Sequence, residues 1–137
     1  TKDWLNQLSK MDKKITVVFY GDHLPGFYPE KTFKDNPKSQ YQTDYFIWSN
    51  YPTPKQNHPY VNSSDFPAEL LLATSTKVSP YQALLTEVLD NASIDKEHKT
   101  KEQKKIANDL KLVEYDLISG KGYLANNEKF FKVSKEK

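Results

Sequence analysis

Gly21-Asp22-His23 follows directly on the apolar run Ile15-Thr16-Val17-Val18-Phe19-Tyr20. A carboxylate oxygen and an imidazole nitrogen delivered side by side suit a borderline divalent metal such as Zn²⁺ or Mn²⁺. The run itself is β-branched and aromatic, the pattern of a strand covered on both faces in an α/β sheet. In open α/β sheets, ligands gather beyond the carboxyl ends of the strands, which is where this pair would emerge. Glycine before the pair allows a sharp change of backbone direction. The competing reading is local: Asp22 closes an Asx turn and His23 caps the loop.

Other residue types in the chain can do chemistry, and each has a plainer reading. Phe27 and Tyr28, just past the acid–imidazole pair, can stack on a sugar face or pack their loop onto the sheet. His58, in Asn57-His58-Pro59-Tyr60, reads as an exposed loop histidine, with a supporting or substrate-contacting role as the alternative. His98 sits among lysines and reads as solvated. Trp48 reads as core. Ser63-Ser64-Asp65 has the residue types of a nucleophile cluster, yet its place before Pro67 is that of a helix cap.

The elements that must position these groups follow from periodicity. Trp4 to Met11, with Leu5 and Leu8, reads as the last turns of an amphipathic helix, and Ile15–Tyr20 as a strand. Residues 24–42 carry Pro25, Gly26, Pro29 and Pro37 among charges and read as a long surface loop. Tyr45–Trp48 is a second strand, ended by the turn-prone run 50–54. A helix starts near Ser64 or Asp65, with Pro67 in its first turn, Glu69 near its positive end, and Leu70, Leu71 and Ala73 inward. Another runs Tyr81–Leu89 behind Ser79-Pro80, with Leu84, Leu85 and Val88 inward. The lysine-rich block 96–105 reads as a solvated linker or exposed first turns of a helix. Ile106, Leu110, Val113 and Leu117 form a helical stripe stopped by Gly120 at C′. Phe130, Phe131 and Val133 have the makings of an edge strand. Two regions are expected, 1–95 as the sheet-bearing portion and 96–137 as charged linker, amphipathic helix and tail.

Composition narrows the function further. The chain has 137 residues and no cysteine, which excludes disulfides, thiolate nucleophiles and cysteine-based zinc sites. A net charge of +2 does not by itself point to nucleic acid. All 20 basic residues are lysines, so no bidentate guanidinium clamp for phosphate is present. No apolar stretch approaches the length of a membrane span, and no signal peptide is seen. Nine tyrosines and seven phenylalanines invite a carbohydrate-binding reading. The lysine-rich C-terminus has the charge to meet anionic headgroups or polymer.

Taken in order, TVVFYGDHLPGFYP, YQTDYFIWSNY, SSDFPAELLLAT and SPYQALLTEVL resemble the lipoteichoic acid synthase family. These are membrane-anchored phosphoglycerol transferases of the sulfatase and alkaline-phosphatase superfamily. The resemblance spans roughly residues 12–90. Asp65 to Leu72 stands at the family's "D-x-P-T-L-L" type segment. The departures are Thr43-Asp44-Tyr45 in place of Thr-Pro-Phe, and the absence of a glycine after Ala73-Thr74.

The resemblance implies an α/β fold, the C-terminal part of an alkaline-phosphatase/sulfatase-like domain with its sheet flanked by helices. It implies that Asp22 and His23 are metal ligands, to Mn²⁺ above all, with Mg²⁺ or Zn²⁺ as alternatives. The family's threonine nucleophile and its other metal-binding residues lie N-terminal to Gly-Asp-His. The chain is therefore expected to be a soluble, inactive piece of a longer enzyme, with an incomplete metal site and a tendency to self-associate. The implied parent is anchored by an N-terminal membrane segment at the extracytoplasmic face of a Gram-positive cell. It moves glycerol phosphate from phosphatidylglycerol to a glycolipid or wall polymer, with no nucleic acid involved. The alternatives are a sulfatase or phosphoethanolamine transferase of the same superfamily, and a non-catalytic module that binds wall polysaccharide.

Overall fold

The structure is a computed structural model that describes residues 1–93 and 98–134. The chain combines helices with a small antiparallel sheet, an α/β composition as expected. It forms two compact units, residues 1–52 and 53–137. The division placed between 95 and 96 falls outside the described residues.

In the first unit, α1 (Lys2–Leu8) leads to β1 (Thr16–Tyr20), and β2 (Tyr45–Ser49) returns beside it. The strands are antiparallel, with Val17 opposite Trp48, Val18 opposite Ile47, and Phe19 opposite Phe46. The Phe19 and Phe46 rings stack at 5.2 Å between centroids, the cross-strand pairing that favours aromatic strands. The expectation that β1 is covered on both faces does not hold within this chain. β1 has one strand neighbour among the described residues, and its last two residues, Phe19 and Tyr20, are exposed. Trp48, expected in the core, is half-buried.

Asn50 does most to close this unit. Its Oδ1 accepts from the Ile15 N–H at 2.8 Å. Its Nδ2 lies within 3.3 Å of the Leu8, 3.2 Å of the Met11 and 2.9 Å of the Lys13 carbonyl oxygens. One amide thus serves the last carbonyl of α1, two carbonyls in the turn that follows and the N–H just before β1, groups that helix and strand leave open. Thr16 adds side-chain bonds to Ser49 at 2.9 Å and Tyr51 at 2.8 Å.

The second unit is helical: α2 (Phe66–Thr74), α3 (Pro80–Ala92), α4 (Lys101–Ile118) and the short α5 (Glu128–Phe131). α3 is central and packs against the other three. Its start is set by a capping box. The Ser79 N–H donates to Gln82 Oε1 at 2.8 Å, and the Gln82 N–H donates back to Ser79 Oγ at 3.3 Å. Thr100 and Gln103 repeat the motif at the head of α4, at 2.9 and 3.2 Å. The core holds Ala68, Ala73, Leu89, Ala92 and Val113.

The stripe read at 106, 110, 113 and 117 is helical, with Val113 buried, Ile106 and Leu110 half-buried, and Leu117 exposed. Gly120 ends α4 for want of room: a Cβ there would stand 2.7 Å from the Asp116 Cα. Asp116 then accepts the N–H groups of Tyr123 and Leu124 at 3.0 and 2.8 Å, folding the chain back after α4.

Two expectations are overturned in this unit. On α2 the buried residues are Ala68, Glu69 and Ala73, while Leu70 is exposed. Consecutive leucines do not reveal the phase of a helix, and the short alanines allow close packing against α3. Phe130 and Phe131 lie in α5 instead of an edge strand, because their rings cluster with Tyr81 at 6.1 and 5.4 Å.

Candidate functional site

Asp22 and His23 leave the carboxyl end of β1, as the strand reading requires. What fixes this exit is Thr43, in the residues before β2. Its Oγ1 donates to the Gly21 carbonyl at 2.6 Å, and the Gly21 N–H donates to the Asp44 carbonyl at 3.2 Å. Gly21 does not adopt positive φ, so the sharp-turn rationale for glycine is replaced by a packing one. A Cβ at Gly21 would stand 3.0 Å from the Thr43 Cβ.

Both side chains face solvent, Asp22 with 83% and His23 with 77% of the side-chain surface exposed. Asp22 Oδ1 accepts the N–H of the next residue, His23, at 2.9 Å, a local bond one residue short of the Asx turn. The other carboxylate oxygen, Oδ2, stands 3.5 Å from His23 Nε2. His23 Nδ1 lies 3.0 Å from the Leu24 carbonyl oxygen. A carbonyl can only accept, so this contact places the ring proton on Nδ1 and leaves the Nε2 lone pair free to bind a cation. Two ligands held about 2.1 Å from a tetrahedral ion stand about 3.4 Å apart, close to the observed Oδ2–Nε2 separation. The donor set therefore fits a divalent cation in type and spacing, but supplies only two ligands. Among the described residues no cluster of three or more His, Cys, Asp or Glu is placed to hold a metal ion.

Beyond the pair, residues 24–42 form an exposed segment with two 3₁₀ turns, Glu30–Phe33 and Pro37–Tyr41. Phe27, 79% exposed, packs on Tyr28 at 5.1 Å, and Tyr28 meets Phe33 edge-on at 6.1 Å. These rings pack on one another and leave aromatic surface open to solvent.

The remaining candidates separate cleanly. His98 is exposed, as read from its lysine surroundings. Ser63 and Ser64 lie in a 3₁₀ turn leading into α2 and are exposed, while the Asp65 carboxylate accepts the Asn62 N–H at 2.8 Å, the capping role assigned to this cluster. His58 is not the exposed loop histidine expected. Its Nδ1 lies 2.7 Å from Glu69 Oε1, its Nε2 lies 3.4 Å from Asp90 Oδ1, and only 19% of its side chain is exposed. Glu69 is completely buried, and burial pushes its carboxyl above the ordinary value, with His58 opposing the rise. Sequence reasoning missed this constellation because a loop and two separate helices supply its members.

Comparison with known proteins follows the same residues. The family model described as Sulfatase matches residues 1–76. A protein of Rhizobium meliloti (strain 1021), provisionally named a cyclic beta-1,2-glucan modification protein, is 25% identical over 158 residues, covering 95% of this chain and 24% of its own length. The structure of the Streptococcus pyogenes phosphoglycerol transferase GacH in complex with sn-glycerol-1-phosphate superposes with a TM-score of 0.92. It is 55% identical over 97% of this chain. The chain spans only 35% of that transferase.

Proposed function

The chain belongs to the sulfatase family, and on that premise we propose that it is the C-terminal part of the catalytic domain of an extracytoplasmic, metal-dependent phosphoglycerol transferase. The observation that carries this reading is the 55% identity, over nearly the whole chain, to a phosphoglycerol transferase solved with a glycerol phosphate. The family match by itself admits any ester hydrolase or transferase of that fold.

In this reading Asp22 and His23 are two ligands of one divalent cation, with Mn²⁺ first and Mg²⁺ or Zn²⁺ as alternatives. When bound, the cation supplies charge neutralisation at the phosphate and lowers the cost of deprotonating the attacking hydroxyl. Asp22 contributes the anionic oxygen. His23 contributes Nε2, held in the right tautomer by the Leu24 carbonyl. Thr43 holds the strand exit from which both project. The other ligands and the nucleophilic threonine come from outside these 137 residues, so the chain alone binds metal weakly and is inactive.

The donor is phosphatidylglycerol and the acceptor a glycolipid or wall polymer at the outer face of the membrane. The name of the glucan modification protein supports a carbohydrate acceptor. The open rings of Phe27 and Tyr28 are suited to pack against a sugar in that position. No helix among the described residues is long and apolar enough to cross a membrane, so on this reading an anchor is supplied elsewhere in the protein.

The test is turnover by the longer protein that carries this chain, offered labelled phosphatidylglycerol and an aryl sulfate side by side. Transfer of labelled glycerol phosphate is expected. Turnover of the sulfate ester alone would replace the reading with a sulfatase. Unchanged function in Asp22→Ala with His23→Ala would replace it with a non-catalytic polysaccharide-binding module.

A further inference from the structure

His58, Glu69 and Asp90 take no part in the proposed reaction, and all three lie in the unit formed by residues 53–137. The two ring nitrogens of His58 point to different carboxylates, Nδ1 to Glu69 on α2 at 2.7 Å and Nε2 to Asp90 on α3 at 3.4 Å. Nitrogens on opposite edges of one ring cannot share a metal ion, so the arrangement is a bridge and not a cation cage. The ring thus stands between two carboxylates from two helices, with one nitrogen toward each.

Glu69 gives the bridge its consequence. Its side chain is fully buried, and although His58 Nδ1 approaches Oε1 to 2.7 Å, among the described residues neither carboxylate oxygen has a well-formed hydrogen bond. A buried carboxylate without a facing cation is costly, more so than a neutral group in the same place. We propose that His58 is a pH-sensitive latch, fastening residues 53–62 to α2 and α3 by compensating the buried Glu69 carboxyl.

The charged groups facing Glu69 are His58 from this segment, Asp65 from the turn before α2, and Asp90 from α3. Burial is the largest influence and raises the Glu69 carboxyl above its ordinary 4.5. His58 lowers it, and Asp65 and Asp90 raise it. A carboxyl raised in the folded state binds its proton more readily there than in the unfolded chain. The stability it contributes is therefore complete below pH 4.5 and is lost as pH rises through the folded-state value. Removing His58 takes away the opposing influence, extends that loss to higher pH, and leaves Glu69 uncompensated.

The test is equilibrium denaturation of the 137-residue chain from mildly acidic to mildly alkaline pH. The variants are His58→Gln, Glu69→Gln and the two combined, with amide hydrogen exchange read over residues 53–62. His58→Gln is expected to raise the unfolding constant roughly ten- to a hundredfold at neutral pH and less in acid, with faster exchange in the segment. Glu69→Gln, which keeps an acceptor for the ring, is expected to flatten the pH profile. The double variant is expected to recover most of the loss. Profiles parallel to wild type in both single variants, or a double variant no better than His58→Gln, would overturn the latch. Should His58→Gln fail to fold at neutral pH, folding of the double variant there supports the latch, and its failure overturns it.

Discussion

Asn50 shows how much one side chain can do when backbone groups would otherwise go unpaired. It bonds four backbone groups between Leu8 and Ile15. Asn50→Ala is expected to cost about 2–4 kcal/mol in denaturant unfolding, since several partly buried groups lose their partner at once. Asn50→Asp should cost nearly as much, because it keeps the acceptor for Ile15 but turns a carboxylate toward three carbonyls. A loss below about 0.5 kcal/mol for either would contradict the role. Gly21→Ala tests the strand exit: Thr43 must shift, so the fold should lose about 1–3 kcal/mol while the helical unit keeps its exchange protection. From sequence, Asn50 was legible only as a turn former and Gly21 only as a flexible point. Their partners lie far along the chain, where no local pattern reaches.

The elements themselves were more legible than their faces. Both strands, the three longer helices behind Ser64, Ser79 and the lysine block, and the stripe along α4 all follow from local periodicity and capping chemistry. Local signals failed where a neighbour decided the outcome. The run Leu70-Leu71-Leu72 concealed that Glu69 faces inward, and Phe130-Phe131 coils into α5 because Tyr81 receives the rings. α3 is the element on which the helical unit depends, and its two ends can be tested separately. Ser79→Ala removes the capping box and should cost about 1 kcal/mol. Leu89→Ala opens a cavity at a fully buried position and should cost about 2–5 kcal/mol. Equal losses at the two positions would contradict the packing described.

At the scale of the whole molecule, the described residues hold a two-stranded sheet with an outer edge on each strand and exposed aromatic residues at the end of β1. Such edges are templates for pairing with another chain. The isolated chain is therefore expected to sediment as a concentration-dependent mixture of monomer and oligomer, and a strictly monomeric boundary at all concentrations would contradict this. The acid–imidazole pair was legible as a motif, and the structure adds its ring tautomer and the 3.5 Å spacing of Oδ2 and Nε2. On the proposed function, the remaining metal ligands come from elsewhere in the longer protein. The most direct measurement is transfer of labelled glycerol phosphate from phosphatidylglycerol by the longer protein, comparing wild type with Asp22→Ala and His23→Ala across Mn²⁺ concentrations. Each substitution is expected to lower transfer more than about a hundredfold and to raise the Mn²⁺ requirement. Wild-type transfer by both variants at the same Mn²⁺ concentration would contradict it.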